Sequence, residues 1–105
     1  MVATRIIKIV TYLEYKELIS QYRNKIIINP HAYFHLNEAQ RNIFKEEVLI
    51  NILEKETPSL IGIQQNERYA ALFRRKNGYL RIIFQVYPNN IEIITFYITE
   101  TLPKI

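Results

Sequence analysis

The 105-residue sequence contains no cysteine and no aspartate, and it has only two glycines. The absence of cysteine excludes disulfide bonds and metal sites built on thiolates. Because aspartate is absent, every side-chain carboxylate belongs to a glutamate, and most of these glutamates fall on predicted helix surfaces. Nuclease sites with two metal ions are usually built from clustered carboxylates. The composition therefore argues against a metal-dependent nuclease, and we expect no cofactor.

Long apolar runs and a strong net charge are also missing. No stretch of 18 apolar residues occurs, so no membrane span is predicted, and the first ten residues lack the cleavage site of a secretory signal. The net charge of +4 permits binding to nucleic acid or to an acidic protein without demanding either. Hydrophobic residues make up 49% of the chain, which is enough for a packed core. We expect a single cytoplasmic domain over residues 1–105.

The last third of the chain, residues 68–99, reads as three strands joined by two tight turns. Asn77-Gly78 lies between apolar runs, which is the strongest short-range signal for a hairpin with a two-residue turn. That turn predicts that Lys76 pairs with Tyr79, and it thereby fixes which side chains share a face of the sheet. One face is then apolar and is expected to pack against helices: Tyr69, Ala71, Phe73, Ile82, Phe84 and Val86.

The opposite face of this hairpin gathers cationic side chains and is predicted to stay open. In the predicted register Arg74 lies directly opposite Arg81, although like charges placed in this way repel each other. Such a face is typical of a surface that binds phosphate, and the alternative is an ordinary solvated face with surface charge. A three-residue turn at 88–90 separates apolar from polar side chains better than a two-residue turn does. It places Tyr97 beside Arg81, and it adds to the apolar face Ile94, Phe96 and Ile98.

The first half of the chain shows mostly helical patterns. Apolar residues at helical spacing and a capping box formed by Thr11 and Glu14 predict a helix over residues 11–24. Residues 2–10 fit either a strand or the start of a helix. Further elements are predicted as strands at 25–29 and 59–64 and as helices at 31–41 and 44–55. This order predicts an α+β two-layer sandwich, in which an antiparallel C-terminal β-meander packs on two or three N-terminal helices.

Short motifs run through the chain from its first predicted short helix onward: the His31-Ala32 pair, Arg41 followed by Ile43, Glu46-Glu47-Val48, and the closing Thr95-Phe96-Tyr97. This pattern, over about residues 25–99, resembles the RelE/ParE toxin superfamily, most closely the BrnT-like toxins and related small branches. His35 stands where that pattern often has an arginine, one helical turn after the His-Ala pair. Residues 1–24 have no counterpart, and this N-terminal extension is expected to be a helix that covers a sheet edge or forms a dimer seam.

The resemblance implies a toxin that cleaves mRNA without a metal ion, often at the ribosome, and that an acidic antitoxin protein restrains. Other members of the superfamily poison gyrase or have lost activity. The resemblance and the predicted register together give the expected catalytic positions, which are Arg68, Arg74, Arg81 and Tyr97. The arginines would clamp phosphate oxygens and stabilise the transition state, and the tyrosine would transfer a proton.

Further candidates lie at the hairpin tip and on the predicted helix over residues 31–41. Lys76 and Arg75 would grip an RNA backbone, or they form a solvated tip that discourages pairing between sheet edges. Tyr79 and Tyr87 would offer planes on which bases stack. His31 is either a general base or a residue that bonds backbone at the start of its helix. The spacing of the two histidines leaves too few ligands for zinc, so no metal site is predicted.

Three functions are open from the sequence. We favour a metal-independent endoribonuclease that acts on RNA, including ribosome-bound mRNA, through the basic and aromatic face. The second hypothesis is a non-catalytic module of the same fold that binds nucleic acid or a protein partner. The third is a structural homodimer built through the N-terminal helix. Binding that is salt-sensitive and leads to no cleavage would favour the second hypothesis over the first.

Overall fold

The computed structural model describes residues 4–104. In chain order its elements are β1 (Ile6–Ile9), α1 (Tyr12–Gln21), β2 (Ile26–Ile28), a 3₁₀ helix (Pro30–Tyr33), α2 (Glu38–Ile43), α3 (Glu46–Lys55), β3 (Leu60–Gln64), β4 (Tyr69–Arg75), β5 (Gly78–Val86) and β6 (Ile91–Thr99). The helices precede a C-terminal meander of four strands, which confirms the predicted α+β class. None of the helices in the described part of the chain is long and apolar enough to cross a membrane.

All six strands form one mixed sheet in the order β1-β3-β4-β5-β6-β2. Strands β3 to β6 are an antiparallel meander, and β1 adds to it as an antiparallel edge strand. At the other edge β2 runs parallel to β6. The short helix α1 connects the two edge strands, because a chain that leaves one edge of a sheet needs a crossover to reach the other.

The predicted capping box at the start of α1 is confirmed. The Thr11 hydroxyl accepts a hydrogen bond from the Glu14 backbone N–H, and the Glu14 carboxylate accepts one from the Thr11 N–H, both at 3.1 Å. One turn further, the buried Tyr15 hydroxyl donates to the Leu53 carbonyl oxygen at 2.7 Å. This hydrogen bond joins α1 to α3 and satisfies a phenol that would otherwise be costly to bury.

The predicted single helix over residues 31–41 is wrong. Pro30 opens only a 3₁₀ turn, which Asn29 caps by accepting from the His31 N–H at 2.9 Å. A separate helix, α2, begins after Asn37, whose side chain accepts from the Gln40 N–H at 2.8 Å. The Gln40 side chain in turn accepts from the Asn37 N–H at 3.0 Å. Asn37 therefore starts a new helix, because its side chain accepts the hydrogen bond of the Gln40 N–H. In a continuous helix this N–H would bond a backbone carbonyl oxygen instead.

The β4–β5 register differs from the predicted one by two residues. The turn residues are Lys76 and Asn77, so Arg74 pairs with Tyr79 rather than with Arg81. Gly78 belongs to β5, has φ of +150°, and lies so close to the Thr99 carbonyl oxygen that a Cβ atom would overlap it. The glycine thus serves the close approach of β5 and β6 rather than the turn. A shift of two residues leaves every side chain on its predicted face.

The β5–β6 pairing is predicted correctly at its centre and incorrectly near the turn. Arg81 lies opposite Tyr97, as expected. Closer to the turn an irregularity between Ile83 and Phe84 shifts the register, so that Val86 pairs with Ile91. This shift leaves one residue of β6 without a partner in β5. The part of β6 that precedes this residue therefore has its side chains on the opposite faces from those predicted. In the C-terminal strand the buried residues are Ile91, Ile93 and Phe96, whereas the expected core residues Ile94 and Ile98 are half-buried and exposed.

The main core lies between the helices and one face of the sheet, which we call the core face. All six side chains predicted for it either belong to this cluster or pack against it: Tyr69, Ala71, Phe73, Ile82, Phe84 and Val86. Phe73 and Phe84 are fully buried there together with Phe96. Each large side chain buried in this way stabilises the fold by roughly 1.5–3 kcal/mol.

The opposite face of the sheet, which we call the outer face, is not left open as predicted. A second, smaller cluster of buried side chains covers its centre and consists of Ile6, Ala70, Leu72 and Ile83. Ile6 packs closely enough that a Cβ atom on Gly62 would overlap its side chain. The start of the described chain therefore folds over the outer face, and this cover determines which cations on that face reach solvent.

Candidate functional site on the outer face

Arg81 lies at the centre of the outer face, on the central strand β5. Its side chain is 3% exposed, although an arginine is almost never fully buried without an ionic partner. The Nη2 group donates to the Thr4 carbonyl oxygen at 2.8 Å and to the Gln64 side-chain oxygen at 2.7 Å. The Nε group is buried and has no hydrogen-bond partner among residues 4–104.

Both oxygens that Arg81 contacts among residues 4–104 are neutral. In the described part of the chain the one ion pair of a carboxylate with a cation joins Arg75 to Glu56, far along the hairpin from Arg81. A buried charge is costly unless it is paired and hydrogen-bonded. The centre of the outer face therefore carries a positive charge that its hydrogen-bond partners do not neutralise.

Gln64 holds Arg81 in place, and it is absent from the predicted site residues. The Gln64 side chain is 2% exposed, and its Nε2 group donates to the Asn66 side-chain oxygen at 3.1 Å. That same oxygen accepts the Arg68 backbone N–H at 3.1 Å. Side chains alternate between the two faces along the strand over residues 60–64, and this alternation places Gln64 on the outer face. It is the sequence signal that could have identified Gln64 as a site residue. Its role in holding Arg81 could not be predicted, because nothing in the sequence shows that the outer face is covered.

Tyr97 lies beside Arg81, as the sequence predicts. The two residues are directly paired across β5 and β6, and the Arg81 Cζ atom lies 6.0 Å from the centroid of the Tyr97 ring. The Tyr97 side chain is half-buried and packs against the small apolar cluster of the outer face. A guanidinium and a phenol thus meet at the boundary between the covered centre of this face and solvent.

Arg74 and Tyr79 form a second guanidinium–phenol pair near the hairpin tip. Arg74 Nη1 donates to the Tyr79 hydroxyl at 3.1 Å, and its Cζ atom lies 5.4 Å from the ring centroid. Arg74 is exposed, and so is Lys76 in the turn. A shallow groove of about 350 Å³ lies along this tip, where the cations face one carboxylate, that of Glu100. Arg74 and Lys76 are thus exposed cations that line this groove.

The remaining candidates are spread over the molecule. Arg75 points away from the outer face and makes a bidentate ion pair with Glu56, at 2.9 and 3.1 Å. Arg68 is half-buried at the start of β4, at the end of the sheet opposite the hairpin tip. Tyr87 is exposed at that same end, and its backbone oxygen accepts from the Tyr22 hydroxyl at 2.7 Å.

His31 belongs to the helical layer and not to the outer face. Its ring packs edge-on against Phe34, with centroids 4.5 Å apart, and its backbone N–H bonds the Asn29 side chain. The nearby His35 ring shares a hydrogen bond of 3.0 Å with the Phe96 carbonyl oxygen. Across residues 4–104 no three His, Cys, Asp or Glu side chains come together in the manner of a metal site. The structure thus brings together Arg81 with Tyr97 and Arg74 with Tyr79, but not His31 with either pair.

Two tyrosines outside the outer face have perturbed titration. Burial raises the pKa of the Tyr15 hydroxyl, which contacts the Leu53 carbonyl oxygen. Burial also raises the pKa of the Tyr33 hydroxyl, and the nearby carboxylates of Glu46 and Glu47 add to this shift. In both cases the neutral phenol is favoured, so neither group is suited to act as a phenolate base.

No family model matches the sequence, and no curated protein or solved structure matches it either.

Proposed function

We propose that this protein is a metal-independent endoribonuclease of the toxin type, which binds RNA along the outer face and cleaves it beside Tyr97. The observation that carries the proposal is the adjacency of Arg81 and Tyr97, with an arginine charge that no carboxylate among residues 4–104 neutralises. An arginine that served only the stability of the sheet would be expected to pair with a carboxylate. An uncompensated guanidinium beside a phenol is instead suited to a reaction in which negative charge develops.

Cleavage of RNA without metal requires a base for the 2′-hydroxyl, a cation for the crowded phosphate and an acid for the leaving 5′-oxygen. Tyr97 would carry one of the two proton transfers. Arg81 would stabilise the charge on the reacting phosphate, and Arg74 and Lys76 would hold neighbouring phosphates at the exposed tip. Tyr79 presents an aromatic ring next to those cations, on which a base could stack.

The same charges define the expected partners. A single-stranded RNA, including mRNA on the ribosome, would follow the cationic tip and the outer face. An acidic antitoxin protein would inhibit by covering Arg74 and Lys76, because burying its carboxylates against these cations excludes the phosphate backbone. A homodimer is compatible with this arrangement wherever its interface leaves the outer face free.

The direct test is incubation of the purified protein with RNA in the presence of a chelator. We expect RNA fragments from the unmodified protein and a loss of about 10²–10⁴-fold in cleavage rate for Tyr97→Phe, which removes only the hydroxyl that transfers the proton. Tyr12→Phe is the matched control, because Tyr12 is an exposed tyrosine on α1 and lies outside the outer face. Equal cleavage by the Tyr97→Phe protein would show that Tyr97 is not catalytic.

A non-catalytic RNA-binding module is the second candidate. It is favoured by the position of Arg81, whose Nη2 group is already occupied by Thr4 and Gln64, while the exposed cations lie at the tip. This candidate predicts RNA binding that weakens steeply with salt and yields no fragments under any of the conditions above. Fragments that disappear with Tyr97→Phe would rule it out.

A further inference from the structure

We propose that Arg81 is the centre of an oxyanion site, and that Thr4 and Arg5, which precede β1, form a removable cover in which the Thr4 carbonyl oxygen occupies the place of a phosphate oxygen. This inference deepens the proposed function and rests on it, because it names a phosphate-type oxyanion as the ligand of Arg81 and explains how the site is closed. The cover accounts for a buried arginine on a face that was expected to be open.

Within residues 4–104, the hydrogen bonds of Arg81 are those of a cation with an incomplete set of acceptors. A guanidinium has five N–H donors in a planar fork, and it binds oxyanions through two of them at once. In the described residues the Arg81 Nη2 group holds two neutral oxygens, and the Nε group, at 3% exposure of the side chain, holds none. A phosphate would supply an acceptor for the Nε group together with the negative charge that Thr4 and Gln64 lack.

Among the contacts of residues 4–104, few hold the cover in place. Thr4 lies two residues before β1, which pairs with β3, yet its carbonyl oxygen bonds a side chain on β5, beyond both β3 and β4. The next attachment along the chain is the Arg5 carbonyl oxygen, which accepts from the Gln65 N–H at 2.9 Å. The buried Ile6 side chain then anchors β1. Thr4 can therefore leave Arg81 while β1 keeps its place in the sheet.

The neutral charge of Gln64 keeps the site receptive to an anion. Its amide oxygen orients Arg81 at 2.7 Å without neutralising it, while its amide nitrogen is fixed by Asn66. A carboxylate in the same position would form an internal ion pair with Arg81 and would compete with an external oxyanion. Gln64→Glu is nearly isosteric, so it separates the charge of the site from its shape.

The test measures binding of inorganic phosphate, at constant ionic strength against chloride, by thermal unfolding and by titration calorimetry. Three proteins are compared, namely the full chain, a variant lacking residues 2–5, and the same deletion with Gln64→Glu. We expect phosphate to bind the deletion variant at least about tenfold more tightly than the full chain, because the cover no longer competes. The Gln64→Glu substitution is expected to abolish this gain, and circular dichroism establishes that each variant is folded.

If the deletion variant fails to fold, a full-length Thr4→Gly/Arg5→Gly protein replaces it. There the cover is loosened without being removed, and the NMR signal of the Arg81 Nε–H should shift on addition of phosphate more readily than in the unmodified protein. Equal phosphate affinity with and without the cover, or an undiminished gain in the Gln64→Glu variant, would overturn the inference. Phosphate binding that follows the expected pattern without any RNA cleavage would sustain the oxyanion site and overturn the endoribonuclease.

Discussion

At the scale of single residues, Tyr15 is the clearest case of a polar group fixed by burial. Its hydroxyl is bonded to the Leu53 carbonyl oxygen, and burial raises its pKa above that of an exposed tyrosine. The folded protein therefore keeps the proton of Tyr15 at pH values where the unfolded chain releases it. The stabilisation is complete below the unfolded pKa of about 10 and is lost progressively as the pH rises above that value.

Tyr15→Phe tests this linkage. At neutral pH we expect the substitution to lower the free energy of unfolding by about 1 kcal/mol, because the hydrogen bond to Leu53 is lost. Between about pH 10 and 12 the unmodified protein should lose stability more steeply than the variant, by up to about 1.4 kcal/mol for each pH unit. Urea denaturation across this range measures both effects. Tyr87→Phe, at an exposed tyrosine, is the control, and parallel pH dependences for the Tyr15 variant and the unmodified protein would contradict the account.

Arg81→Met separates a functional role of the buried arginine from a structural one. The substitution removes an unneutralised buried charge but leaves the Gln64 oxygen without its donor, and these effects oppose each other. We expect the free energy of unfolding to change by less than about 2 kcal/mol, while RNA cleavage is lost. Urea denaturation and the RNA assay are run on the same preparation, with Arg23→Met, at an exposed arginine in the turn after α1, as the control. A loss of stability of about 3 kcal/mol or more would assign Arg81 to the fold.

At the scale of elements, the hairpin of β4 and β5 shows what the sequence could predict. The alternation of apolar and polar residues predicted both faces correctly, because a shift of two residues leaves a period-two pattern unchanged. For the same reason that pattern could not distinguish the pairing of Arg81 with Arg74 from its observed pairing with Leu72. The register is decided by Gly78, whose contact with the Thr99 carbonyl oxygen depends on a strand that is distant in sequence.

The turn itself supplies a test of that interpretation. In the described structure neither Lys76 nor Asn77 has a positive φ, whereas Gly78 does. Asn77→Ala should therefore change the free energy of unfolding by less than about 0.5 kcal/mol, as at an ordinary surface position. Gly78→Ala should cost about 1–3 kcal/mol or more, because it combines a strained backbone with an overlap at Thr99. Thermal unfolding of the two variants measures both changes in stability. A larger loss for Asn77→Ala than for Gly78→Ala would contradict the observed turn and favour the predicted Asn77-Gly78 turn.

The candidate site was predictable to a smaller extent than the fold. Strand alternation was sufficient to place Arg74, Arg81 and Tyr97 on one face, and the pairing of Arg81 with Tyr97 is confirmed. The burial of Arg81 was not predictable, because it depends on the backbone oxygen of Thr4, which every residue type carries. A side-chain pattern cannot report a contact made by a main-chain atom across two intervening strands.

At the scale of the whole molecule, the question is whether the net charge of +4 or the placement of the cations controls binding to RNA. Attraction by net charge alone depends little on where a cation lies, whereas contact with phosphates depends on it strongly. Two exposed cations offer a matched comparison, namely Arg74 at the hairpin tip and Lys16 on α1. Charge reversal at either site lowers the net charge by the same two units.

We expect Arg74→Glu to weaken RNA binding by about tenfold or more and Lys16→Glu to have a much smaller effect. Each lost contact with a single-stranded phosphate should reduce the slope of log K against log salt by about 0.7, so the Arg74 variant should also show the shallower salt dependence. Binding of a fluorescent single-stranded RNA, titrated at several salt concentrations, measures both quantities. Equal weakening by the two variants would mean that the RNA affinity depends on the total charge of the protein. The outer face would then not be the binding surface.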